Sequence, residues 1–209
     1  MTAIERVAFF LDSNDDQPNI ELARRLAETN DAAGIGEIAA GLDHENKLVA
    51  GDCIKVLYEI GSIEPCLIAP YVADFLRLIE SRTNRLVWGG MTALSTIAAI
   101  RPDDIYKKID AVLRAFDRGS TITVDRSITV LAELAKADRR YRARLFPVIE
   151  EHLSTCRPKD VPQHAERASV CVDRDNRTRF LAILQQRRGH LTAPQAKRVD
   201  KLIQQISGR

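Results

Sequence analysis

Three segments of this chain superpose when it is shifted against itself by 37 residues: AGDCIKVLYEIG from Ala50, VWGGMTALSTIA from Val87 and VDRSITVLAELA from Val124. Their apolar positions then stack in columns: Ala50, Val87 and Val124; Ile54, Met91 and Ile128; Leu57, Leu94 and Leu131; Ile60, Ile97 and Leu134. Within each segment these fall at i, i+4, i+7 and i+10, one face of an α-helix. A further step reaches VPQHAERASVCV from Val161, a weaker match with Ala165, Ala168 and Cys171 in the columns. A helix with such a stripe cannot bury it alone, so the recurrence predicts neighbouring units that cover each other.

Between these helices lie partners with their own stripes, Glu64 to Ser81, Pro102 to Gly119 and Asp138 to Thr155. Val72 and Ile109, Phe75 and Val112, Ile79 and Phe116 keep the same step, and Ile35, Ile38 and Leu42 precede them by one period. The third partner matches the first better with a slip of one turn. Prolines at 18, 65, 102, 162 and 194 fall near helix starts, where a missing N–H costs nothing. Asn84, Ser120 and Thr192 stand at expected caps, and Gly61, Gly119 and Gly189 near expected exits. No alternating strand pattern of useful length occurs, so the expected class is all-α.

Gly89 and Gly90 interrupt this pattern, since each glycine inside a helix costs about 1 kcal/mol relative to alanine. Close packing of adjacent backbones is the favoured explanation. The alternative is open space for a docking partner beside Trp88.

The paired helices resemble the HEAT/armadillo-like family of α-solenoids. The likeness rests on the inner columns and on two proline-bearing strings, LIAPYVADFL (Leu67 to Leu76) and LFPVIEEHL (Leu145 to Leu153), where Pro70 and Pro147 would bend the first helix of a pair. The period is short beside the family's usual ~40–47 residues. Tetratricopeptide units are nearer in length, but their Trp, Gly and Tyr signature is missing. The resemblance implies an α-α superhelix of about five helix pairs. Residues 1–17 would form an N-terminal helix and linker, 18–190 the repeats and 191–209 a capping helix, all in one domain.

The resemblance also implies that the second helix of each pair lines a concave groove. Its expected binding residues are Trp88, Thr92, Asp125, Arg126 and Gln163, a polar, mixed-charge surface with one large aromatic. Arg157, Lys159 and His164, near the start of a helix, are candidates for holding an anion. Catalytic groupings are thin. The four histidines (His44, His152, His164 and His190) show no metal-ligand spacing, and no phosphate-binding loop is present. Cys156 and His164 could meet, but nothing orients them as nucleophile and base. No catalytic residue, metal or cofactor is therefore expected. Cys53, Cys66, Cys156 and Cys171 include no C-x-x-C pair and read as buried reduced thiols.

The net charge of +2 conceals a polarity, a balance of −9 over residues 1–80 against +9 over residues 139–209. The N-terminus lacks the features of a secretory signal, and no apolar run approaches the ~20 residues that span a bilayer. A cytoplasmic protein without membrane contact is expected. The leading functional expectation is a non-enzymatic scaffold binding a protein or peptide in its groove. The alternative is nucleic-acid binding through the basic C-terminal third, including Arg139, Arg140, Arg142, Arg144, Arg177, Arg179, Arg187, Arg188, Lys197 and Arg198. Its enzymatic version would be a relative of HEAT-like DNA glycosylases, with Trp88 and Asp125 as the aromatic and the carboxylate. A third expectation is head-to-tail self-association of the acidic and basic ends.

Overall fold

A computed structural model describes residues 2–208, and no strand occurs among them. The helices are α1 (Gln17–Glu28), α2 (Ala32–Ala40), α3 (Lys47–Ile63), α4 (Pro65–Ile68), α5 (Val72–Leu78), α6 (Asn84–Ile97), α7 (Pro102–Tyr106), α8 (Ile109–Arg118), α9 (Thr121–Ala137), α10 (Arg139–Thr155), α11 (Val161–Ala168), α12 (Arg177–Arg188) and α13 (Ala193–Ser207). No helix among the described residues is long and apolar enough to cross a membrane. The chain divides into two compact units, Met1–Ser127 and Ile128–Arg209, and the division falls inside α9.

The period is written into the helix starts, since α3, α6 and α9 begin at Lys47, Asn84 and Thr121, 37 residues apart. The inner columns are core: Ile54, Met91, Ile128, Leu57, Leu94, Leu131, Ile60, Ile97 and Leu134 are each 0 % exposed. Ala165, Ala168 and Cys171 continue the columns and are buried as well. Only in the first turn does the stripe open, where Ala50 is buried but Val87 and Val124 are half-exposed.

The partner helices correct two expectations. The one-turn slip is not needed, because one further period from Ile109, Val112 and Phe116 lands on Phe146, Ile149 and Leu153, all buried. Matching Pro147 to Pro70 would demand such a slip. Both prolines are exposed, so the core does not constrain their positions. The first two partners are also broken helices. α4 and α5 are separated by a 3-10 turn at Ala69–Tyr71 that contains Pro70. One period later α7 and α8 part at Lys107 and Lys108 with no proline there, whereas α10 runs through Pro147 unbroken. Packing therefore sets the break, and the proline at 70 accommodates it.

In the first unit α3 lies against α1, α2 and α6, and α6 lies between α3 and α5. That placement answers the glycine question. A Cβ on Gly89 would come within 2.8 Å of Ile54 Cγ2, and one on Gly90 within 3.0 Å of Leu78 Cβ and 3.1 Å of the Phe75 carbonyl. Both glycines are buried, one facing each neighbour, and close packing is what they serve. In the second unit α10 meets α11 and α12, while α13 covers α11 and α12. Thr192 and Gln195 form a reciprocal capping box at the start of α13.

Candidate functional site

Two places gather polar chemistry, one in each unit. In the first, α3 and α6 present Tyr58 and Trp88 with ring centroids 6.0 Å apart and a tilt of 53°. Trp88 is half-exposed. The Lys55 ammonium stands 5.0 Å from the Tyr58 ring and 2.6 Å from Glu59 Oε1. Burial works against the Lys55 charge, but hydrogen bonds to Glu59 and Tyr58 more than offset it and hold the ammonium above its ordinary value. Beside it Arg85 pairs with Asp52 at 2.9 Å and with the exposed Asp16 at 3.6 Å. Asp52 also accepts the Phe9 backbone N–H at 2.8 Å, so the N-terminal segment covers this end of α3.

The expected groove residues separate here. Thr92 is buried and its hydroxyl donates to the Trp88 carbonyl at 2.7 Å, one turn back in its own helix. Asp125 and Arg126 are half-buried in the first unit, and Arg126 Nε is buried with no hydrogen-bond partner. Gln163 is exposed on α11, in the second unit.

The anion candidates have separate surroundings. Arg157 Nε donates to Asp160 at 2.6 Å, Lys159 is exposed, and His164 is buried. What His164 meets is His152, with His152 Nε2 and His164 Nδ1 2.9 Å apart and ring centroids at 4.9 Å. Cys156 completes the group, as the ligand atoms of His152, Cys156 and His164 all lie within 4.8 Å of one another. Burial, and then the neighbouring His164, hold the His152 imidazole far below its ordinary value, at about 4. Burial likewise raises the Cys156 thiol, against the pull of Arg187.

Sequence reading paired Cys156 with His164 but left out His152. The missing signal was the i, i+4 spacing of His152 and Cys156 at a helix end, followed by a helix that returns alongside. Of the other thiols, Cys53 and Cys171 are buried and pushed up to about 12 by that burial. Cys66 is exposed, which corrects the expectation of four buried thiols.

The C-terminal arginines are largely drawn into local ion pairs. Arg140 pairs with Asp138 at 2.8 Å, Arg179 with Glu150 at 3.1 Å, Arg188 with Asp200 at 2.6 Å and Arg198 with Glu166 at 2.6 Å. Arg142 contacts Asp173.

No protein-family model matches the chain and no curated protein matches it by sequence. Solved structures do. An engineered protein superposes with a TM-score of 0.65 at 18% identity, over 100% of this chain and 98% of that one. A designed armadillo repeat protein in complex with the peptide (KR)4 gives 0.65 at 14% identity, over 95% of each chain. A computationally designed armadillo repeat protein for modular peptide recognition gives 0.64 at 14%, again over 95% of each. The fold is an armadillo/HEAT-like α-solenoid. Identity this low carries the architecture and nothing further.

Proposed function

We propose that the protein is a non-enzymatic binding module that holds a peptide or protein segment along the second helices of its repeats. Trp88 is the proposed anchor, backed by Tyr58. The observation that carries this reading is a half-exposed Trp88 set against the buried Tyr58 and rimmed by Lys55, Glu59, Arg85 and Asp16, in a fold whose solved neighbours include a peptide complex. Asp125 and Arg126 stand one period after Trp88 and Gly89, so they extend the surface in register. The balance of −9 over residues 1–80 favours a positively charged segment.

Trp88 is the only tryptophan, so its emission reports on this surface alone. Titration with a (Lys-Arg)4 peptide is expected to shift that emission, less so as salt is raised. Trp88→Ala should weaken binding by about 2 kcal/mol, as the loss of an aromatic anchor does. Binding measured calorimetrically that is indifferent to both Trp88→Ala and Asp16→Asn would overturn the assignment.

A further inference from the structure

The His152, Cys156 and His164 cluster is built from the end of one helix and the body of the next. His152 lies in the last turn of α10, and the Cys156 N–H donates to the His152 carbonyl at 2.8 Å, which places both side chains on one side of that turn. His164 comes from α11, which packs against α10. The turn is fixed from outside by Arg187 of α12, whose guanidinium donates to the Ser154 carbonyl at 2.7 Å and also to the Cys156 carbonyl. Three donors are thus held by three helices before any ligand arrives.

We propose that His152 Nε2, Cys156 Sγ and His164 Nδ1 are three ligands of a zinc ion, with the fourth position left to water or an incoming donor. Tetrahedral zinc needs about 3.3 Å between two nitrogen ligands and about 3.6 Å between nitrogen and sulfur. The three atoms already lie within 4.8 Å of one another, so the two nitrogens at 2.9 Å need to part by about 0.4 Å and the sulfur to close by at most about 1.2 Å to reach that geometry. Two imidazoles and a thiolate suit a borderline-soft cation and exclude magnesium and calcium, which take oxygen. No fourth His, Cys, Asp or Glu joins the cluster among the described residues. His152 and Cys156 are half-exposed, so the fourth position faces solvent. Binding forms two Zn–N bonds and one Zn–S bond and releases one proton, that of the thiol. The proton between the rings moves to a non-coordinating nitrogen, and nothing is oxidised or reduced. This assignment does not depend on the peptide-binding surface.

The test uses the full chain, reduced with a phosphine and stripped by a chelator, then titrated with Co2+ and Zn2+. One equivalent of cobalt is expected to produce the visible bands of a tetrahedral site and a sulfur-to-metal charge-transfer band, both removed by zinc. Cys156→Ser should abolish the charge-transfer band and weaken zinc at least about 100-fold, since loss of an outer-shell partner alone costs up to that much. His152→Gln, checked for folding by circular dichroism, should weaken it comparably, while His190→Gln should not. Zinc should also protect Cys156 from alkylation while the exposed Cys66 reacts. Failure to take up one equivalent of metal, or uptake and alkylation indifferent to Cys156→Ser and His152→Gln, would overturn the assignment.

Discussion

Alanine is the better helix former by about 1 kcal/mol, yet Gly89→Ala is expected to destabilise this protein. The new Cβ would meet two carbons of Ile54 at 2.8 and 2.9 Å, and Ile54 is a branched, fully buried side chain with no room to turn. Overpacking of that kind costs about 1–3 kcal/mol, which outweighs the propensity gain and should lower the thermal midpoint by a few degrees. Gly90→Ala is a milder case. Its nearest neighbours, at 3.0 and 3.1 Å, belong to α5, a helix of seven residues that can give by a few tenths of an ångström. That variant should melt close to the parent. Asp138 supplies a pH signature. The Arg140 side chain, and then the Arg140 backbone N–H, hold its carboxyl at about 2. A folded value below the unfolded ~3.9 means stability that is present above that value and fades as pH falls toward 2. Asp138→Asn should therefore be less stable than the parent near neutrality and converge with it in that acid window, as denaturant titrations at successive pH values would show.

The break between α4 and α5 recurs between α7 and α8 without a proline, so Pro70→Ala is expected to leave the fold intact. The cost should be about 0.4–1 kcal/mol, the unfolded-chain entropy that proline removes, measured by chemical denaturation. A larger loss would show that Pro70 imposes the break. These elements also mark where sequence reading succeeds. The inner stripes were legible because Leu57, Leu94 and Leu131 answer to one requirement, complete burial on a helix face. Helix starts at Pro65 and Pro102 were legible because proline tolerates few positions. The break at Ala69–Tyr71 falls where Pro70 is expected to bend the helix, but the one at Lys107 carries no such mark and α10 runs unbroken through Pro147, since breaks answer to neighbours as well as to local propensity. Trp88 was found as a large aromatic off the core columns, whereas Thr92 looked like a surface polar residue until its hydroxyl was seen to satisfy its own helix. The pairing of His152 with His164 was not legible because His164 lies on the following helix, and spacing within one helix reports only on Cys156.

Charge and periodicity act over the length of the chain. The positive balance of residues 139–209 is real as a sum, but many of its arginines are neutralised within a few ångströms by Asp138, Asp173, Glu166 and Asp200, which leaves fewer free contacts for a phosphate backbone. The 37-residue step has the opposite character, holding from Ile35 through Cys171 without drift. Because α6 and α9 begin one period apart at Asn84 and Thr121, a second copy of residues 84–120 placed before Thr121 would present each of its neighbours with the surface it already meets. Such a chain should fold with added helical signal in circular dichroism and no loss of thermal midpoint, as arrays governed by nearest-neighbour terms do. A helix start that keeps time to the residue thus makes length an adjustable property, one that duplication or deletion of whole modules can change without composing a new core.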